Sequence, residues 1–133
     1  MNNSRFTDIN VLCVDDEEFA RGLISRLLAS IGVNKVIEAE NGANGLTCLE
    51  DSANDIHIII SDIEMPGMNG YEFVRRVRYG VVPRYKDIPI LMLTGKDSDK
   101  NVRSARIHKI NGFLVKPSNA DEVRAQMSHA LKL

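Results

Sequence analysis

Short apolar runs and helical periods alternate five times along this chain, and no other feature limits its possible folds as much. The runs Ile9 to Val14, Lys35 to Ala39, Ile56 to Ser61, Pro89 to Thr94 and Gly112 to Val115 are bounded by turn or acidic residues, as strands are. Between them, apolar residues recur at helical spacing. Phe19, Ala20, Leu23, Ile24, Leu27, Leu28 and Ile31 predict one face of a first helix. Ala43, Leu46 and Leu49 predict a second, Phe73, Val74 and Val77 a third, and Val102 and Ala105 a fourth. Ala120, Val123, Met127, Ala130 and Leu131 predict a fifth. A continuous run such as Ile56-His57-Ile58-Ile59-Ile60 suits a parallel strand covered on both faces. Strands that alternate with helices join through right-handed crossovers into parallel sheets. Five such units in 133 residues predict a doubly wound α/β sandwich, because a barrel needs about twice that length. No repeat or linker interrupts the pattern, so one domain over 1–133 is expected. The longest irregular stretch, Gly80 to Asp87, is the expected mobile loop.

Charge and cysteine usage narrow the function. Seventeen Lys+Arg against eighteen Asp+Glu leave a formal charge of −1, against the basic surplus of a general polyanion binder. No DNA-recognition unit is visible, so direct nucleic-acid binding is not expected. The apolar runs fall far short of the ~18 residues of a membrane span, and the polar N-terminus lacks a signal-peptide core. Cys13 and Cys48 have no metal-ligand spacing and lie in apolar segments, which predicts free thiols and a cytoplasmic setting. His57 is expected to be packed or hydrogen-bonded, with His108 and His129 at the surface. The basic residues Arg75, Arg76, Arg78, Arg84 and Lys86, and Lys100, Arg103, Arg106 and Lys109 in the fourth helix, read either as solvated faces or as a docking surface for an acidic partner.

In doubly wound sheets, ligands bind beyond the carboxyl ends of the strands. Strand one ends in Asp15-Asp16, strand three in Asp62, strand four in Thr94-Gly95 and strand five in Lys116-Pro117. Three carboxylates converging on one rim repel each other unless something compensates them. A hard divalent cation such as Mg²⁺ does so and leaves room for phosphate, and the charge sum of three carboxylates, one metal and one lysine closes. A carboxylate held there can attack phosphorus. Taken singly, each residue also has a bland reading. Asp15-Asp16 with Glu18 resembles a capping box, Asp62 can cap a loop, Thr94 can cap a helix and Lys116 can be a solvated charge.

Their joint occurrence decides between the two. Val11-Leu12-Cys13-Val14-Asp15-Asp16-Glu17-Glu18, the segment Ser61-Asp62-Ile63-Glu64-Met65-Pro66-Gly67-Met68-Asn69-Gly70, the pair Thr94-Gly95, and Asn111-Gly112-Phe113-Leu114-Val115-Lys116-Pro117 closely resemble the CheY-like response-regulator receiver domains of two-component signalling. The resemblance spans nearly the whole chain, with its four motifs in order. It implies a flavodoxin-like (βα)5 sandwich with strand order 2-1-3-4-5. Asp62 would accept a phosphoryl group from a phosphohistidine on a histidine kinase or histidine phosphotransfer protein. Asp15, Asp16, Asp62 and the backbone carbonyl of Glu64 would hold Mg²⁺. Lys116, joined to Pro117 by a cis peptide, would pair with the phosphoryl group. Thr94 and Phe113 would act as the switch, reshaping the face of the fourth helix, fifth strand and fifth helix for a downstream effector protein. By the same resemblance, Glu64 and Lys96 would flank the site at positions that tune how long the phosphoryl group survives. Phe113 lacks the hydroxyl of a tyrosine at that place.

Two alternatives stay open on sequence alone. One is a phospho-independent module that keeps the fold without the switch. The other is an aspartate-nucleophile phosphohydrolase, against which the lack of a DxD arrangement and of length for a cap both count.

Overall fold

The computed structural model describes residues 3–95 and 108–133. Its strands are β1 (Asn10–Val14), β2 (Lys35–Ala39), β3 (Ile58–Asp62), β4 (Ile90–Thr94) and β5 (Gly112–Val115). Among them run α1 (Glu18–Ser30), α2 (Gly42–Glu50), α3 (Gly70–Tyr79) and a C-terminal helix (Ala120–Leu131). Of the expected fourth helix, Lys100, Val102, Arg103, Ala105 and Arg106 lie outside the described residues, while Lys109, expected in it, stands in a turn with φ +55°. All strand pairs are parallel, in the order β2-β1-β3-β4-β5. This is the predicted doubly wound sandwich.

Side-chain alternation splits the core into two layers. Val11 and Cys13 of β1 face one way, with Ile58, Ile60, Leu91, Leu93 and Leu114, and are covered by Ile24 and Leu28 of α1 and by Val123 and Met127 of the C-terminal helix. Leu12, Val14, Ile59, Ile90 and Met92 face the other way, under Leu49 of α2 and Phe73, Val74 and Val77 of α3. Every residue of β3 and β4 is buried, which explains why these two strands read as unbroken apolar runs.

Two helix faces differ from the periodicity. In α1 the buried stripe is Ile24, Leu28 and the capping Ile31, while Phe19 stays 71% exposed and Leu23 40%. Phe19 sits in the first turn, where the helix emerges at the rim and no sheet lies beneath it. In α2, Gly42, Gly45 and Leu49 face inward and Ala43 faces out. Gly45 is there because a Cβ would meet Phe73 Cε1 at 2.9 Å, so the helix can approach only without a side chain.

The stretch from Gly80 to Asp87, expected to be mobile, is pinned. Gly80 ends α3 in the left-handed region, and a 3-10 turn, Pro83–Tyr85, follows. Tyr85 is buried, with its hydroxyl accepting from Ile56 N and donating to the Asn54 carbonyl, both at 3.1 Å. Arg84 also donates to that carbonyl and lies 4.5 Å over the Tyr85 ring. Tyr85→Phe should leave the buried Ile56 N–H unpaired and cost about 1–3 kcal/mol, read as a lower urea midpoint at unchanged m-value. An unshifted midpoint contradicts the anchoring role.

Arg78, counted with the surface bases from sequence, is instead half-buried. Its guanidinium donates to the carbonyls of Lys86 (3.0 Å), Ile88 (2.8 Å), His108 (3.2 Å) and Lys109 (2.8 Å). It ties the end of α3 to the approaches of β4 and β5. His57 directly precedes β3, and its Nδ1 accepts from Asn10 N at 2.9 Å, the hydrogen-bonded role expected for it. His108 is partly buried and stacks on Tyr71, while His129 is exposed.

Candidate functional site

Four strand ends bring together the residues that the sequence marked. β1 runs straight into Asp15, whose N–H extends the ladder to the Ala39 carbonyl at 3.1 Å. Asp62 is the last residue of β3, and its Oδ1 accepts from Ile63 N at 2.9 Å. Thr94 ends β4, and its carbonyl accepts from Lys116 N at 2.8 Å, which fixes Lys116 immediately after β5. The Lys116–Pro117 peptide is cis, as expected.

Lys116 Nζ reaches both acids, 3.1 Å from Asp62 Oδ1 and 3.4 Å from Asp15 Oδ2. Asp15 is fully buried and Asp62 nearly so, while Asp16 is exposed at the mouth. One ligand atom from each of Asp15, Asp16 and Asp62 lies within 4.8 Å of the others. Asp15 Oδ2 is buried without a hydrogen bond, because Lys116 meets it as an ion pair outside hydrogen-bond geometry. A buried carboxylate oxygen with spare capacity, beside the nearly buried Asp62 and the exposed Asp16, fits a hard cation.

The capping alternative for Asp15-Asp16 does not hold in the form expected. α1 starts at Glu18 with Glu17 as N-cap, and no side chain caps it. The side chains of Asn41, Asn69 and Asn119 cap α2, α3 and the C-terminal helix. Asp15 Oδ1 instead accepts from Glu17 N at 3.0 Å, which steadies the turn and leaves Oδ2 toward Lys116.

The electrostatics follow from this crowding. Burial first, and Asp15 second, push the Asp62 carboxyl above its ordinary 3.8, although Lys116 pulls the other way. Burial alone would lower Lys116, but Asp62 and Asp15 outweigh it and raise the ammonium above its ordinary value. The Cys13 thiol is pushed up to about 12 by burial and then by Asp15 and Glu38, so it is inert under the site.

Ionised Asp62 is therefore a strain on the metal-free fold. Its penalty is absent below pH 3.8, grows as pH rises from there, and is complete above its raised value. Asp62→Asn should raise the melting temperature at pH 7 in EDTA by a few degrees (~2–6 °C) and leave it unchanged at pH 3. A lower melting temperature at pH 7 contradicts this balance of charges.

The remaining predicted residues fall around this centre. Thr94 is buried at the rim, Glu64 is exposed two residues past Asp62, and Phe113 is half-buried in β5 against the α2/α3 layer. Lys96 lies outside the described residues. Sequence reasoning missed Arg21, which donates to the Asp15 carbonyl. Its only signal is an arginine one turn into the helix that follows the acidic pair.

The fold has relatives among known proteins. Residues 11–128 match the response regulator receiver domain family. The chain is 32% identical over 123 residues to the chemotaxis protein CheY homolog of Campylobacter jejuni, covering 92% of each. It is equally identical to chemotaxis protein CheY1 of Helicobacter pylori, covering 92% of this chain and 97% of the other. The structure of Vibrio cholerae chemotaxis protein CheY4 superimposes with a TM-score of 0.83 at 34% identity, over 93% of this chain and 99% of that one. The matched segment spans most of the chain, and the chain belongs to the response regulator receiver domain family.

Proposed function

We propose that this protein is a Mg²⁺-dependent phosphoaccepting switch of a phosphorelay, with Asp62 as the acceptor. One observation carries the reading: the Lys116 ammonium bridges Asp62 and Asp15 inside a cluster of three carboxylates that two positive charges would balance. Asp62 Oδ attacks the phosphorus of a phosphohistidine on a histidine kinase or histidine phosphotransfer protein. An O–P bond forms, the P–N bond breaks, and its electron pair returns to the imidazole, which takes up a proton. Lys116 meets the charge on the transferred group, and Thr94 offers it a hydroxyl. Asp15, Asp16, Asp62 and the Glu64 carbonyl would hold Mg²⁺, which would supply further charge neutralisation.

Phosphorylation then biases two arrangements, with Thr94 and Phe113 moving and the face around β5 and the C-terminal helix altered for an effector protein. Half-burial of Phe113 supports this, since its side chain is not fully packed into the core. The receiver of residues 11–128 catalyses only its own phosphorylation and dephosphorylation. A cytoplasmic setting fits its two unpaired cysteines. Among the described residues, no helix is long and apolar enough to cross a membrane. Glu64 and Lys96 set how long the acyl phosphate lasts.

The test is to treat the protein with acetyl phosphate and Mg²⁺, trap the acyl phosphate by borohydride reduction and map the modified peptide. Reduction at position 62 is the expected result. Modification at another carboxylate, or turnover of generic phosphoesters without an adduct, contradicts the reading.

A further inference from the structure

Asp15 is fixed at almost every polar atom it has. Its N–H bonds to the Ala39 carbonyl, and its Oδ1 takes the Glu17 N–H at 3.0 Å. Its own carbonyl takes Arg21 Nη1 at 2.6 Å. What remains is Oδ2, buried and aimed at the ammonium and carboxylates of the site. The first two bonds come from backbone. The third comes from a side chain, so a single substitution can remove it.

Arg21 is held in turn. Its Nε donates to Glu38 Oε1 at 2.9 Å, and the side chain is only 13% exposed. Glu38 lies on β2, opposite Cys13 of β1 in the register. The guanidinium thus spans from the end of β2 to the turn between β1 and α1. It uses the fixed fork that distinguishes arginine from lysine. Glu38 also answers a charge problem. An unheld guanidinium next to Asp15 would be drawn toward the carboxylates of the site as their counter-ion and would compete with a metal ion for them.

We propose that Arg21 is a positioning residue for the metal site: it clamps the Asp15 carbonyl so that Asp15 and Asp16 present their carboxylates to the ion, and Glu38 anchors the clamp. The inference rests on the Mg²⁺-dependent reading above. Arg21 touches neither the phosphoryl donor nor the acceptor and acts through the backbone of Asp15.

The clamp and a simple charge effect predict opposite signs. If Arg21 were only a nearby positive charge, its removal would tighten Mg²⁺ binding. If it positions Asp15, removal loosens binding, by about the tenfold typical of losing an outer-shell support. The experiment is calorimetric titration of MgCl₂ into the wild-type chain and the variants Arg21→Gln, Arg21→Lys and Glu38→Gln. All three variants are expected to bind more weakly. Arg21→Lys keeps the charge but cannot reach both partners, and Glu38→Gln leaves the guanidinium free to compete. Where Arg21→Gln fails to fold by circular dichroism, Arg21→Lys and Glu38→Gln carry the result. Unchanged or tighter binding in the folded Arg21 variants overturns the inference while leaving the phosphoacceptor reading intact. Absence of Mg²⁺ binding in the wild type overturns both.

Discussion

Replacing Gly70 by alanine is expected to cost the fold about 3 kcal/mol and to slow phosphorylation of Asp62 through a residue that touches no ligand. Gly70 opens α3 and is buried against the exit of β3, donating its N–H to the Ile63 carbonyl at 2.7 Å. A Cβ there would collide with the Asp62 carbonyl oxygen and come within 2.8 Å of Ile63 Cα. Both obstacles are backbone, so relief requires moving the segment that carries the acceptor. Gly67 is the control. Its surroundings are open but its φ is +74°, so Gly67→Ala should cost only ~1 kcal/mol from backbone strain. Urea denaturation of the two variants, with acetyl-phosphate labelling rates, tests the coupling. Equal stability losses, or a Gly70→Ala chain that labels at the wild-type rate, contradict it.

Lys116→Ala should show the second large effect, in two separable readouts. Removing the ammonium strands Asp62 and the fully buried Asp15 without a cation, which should destabilise the metal-free protein by about 2–4 kcal/mol at pH 7. The wild-type contribution of Lys116 is fully present below its ordinary pKa of 10.5 and is lost as pH rises through its raised value. The deficit of the variant should shrink as pH falls toward 3.8 and Asp62 takes up its proton. Saturating Mg²⁺ should also narrow it, since a cation bound only to the folded state stabilises by mass action. The phosphorylation rate should nevertheless stay ~10²–10³-fold low, because charge on the transferred group loses its partner. A variant that Mg²⁺ restores fully in rate would show Lys116 to be structural alone.

The reach of the sequence follows from what each signal measures. Strand positions were legible because β3 and β4 are buried on both faces, and a short uninterrupted apolar run fits few places in a fold besides a covered strand. The site was legible because Asp15, Asp62, Thr94 and Lys116 each sit at a strand end, where doubly wound sheets place their ligands. Helix faces were less so. Phe19 has the right spacing for the α1 stripe, but spacing cannot tell that the first turn of a helix overhangs the sheet. Gly42 and Gly45 carry no hydrophobic signal, yet they are the residues by which α2 meets Met68 and Phe73. Arginines were the least legible. A count of bases cannot separate Arg75, which is exposed, from Arg78 and Arg21, which donate to backbone carbonyls. Those carbonyls become neighbours only once the chain has folded.

Everything proposed for the site depends on Asp62 taking a phosphoryl group with the help of a divalent cation. The decisive experiment is intact-mass analysis after acetyl phosphate and Mg²⁺, followed from short times and run beside EDTA and Asp62→Asn samples. One added phosphoryl group on the wild type, and none in either control, is the expected result. An adduct that survives in Asp62→Asn or in EDTA, or no adduct at any time in the wild type, would contradict it.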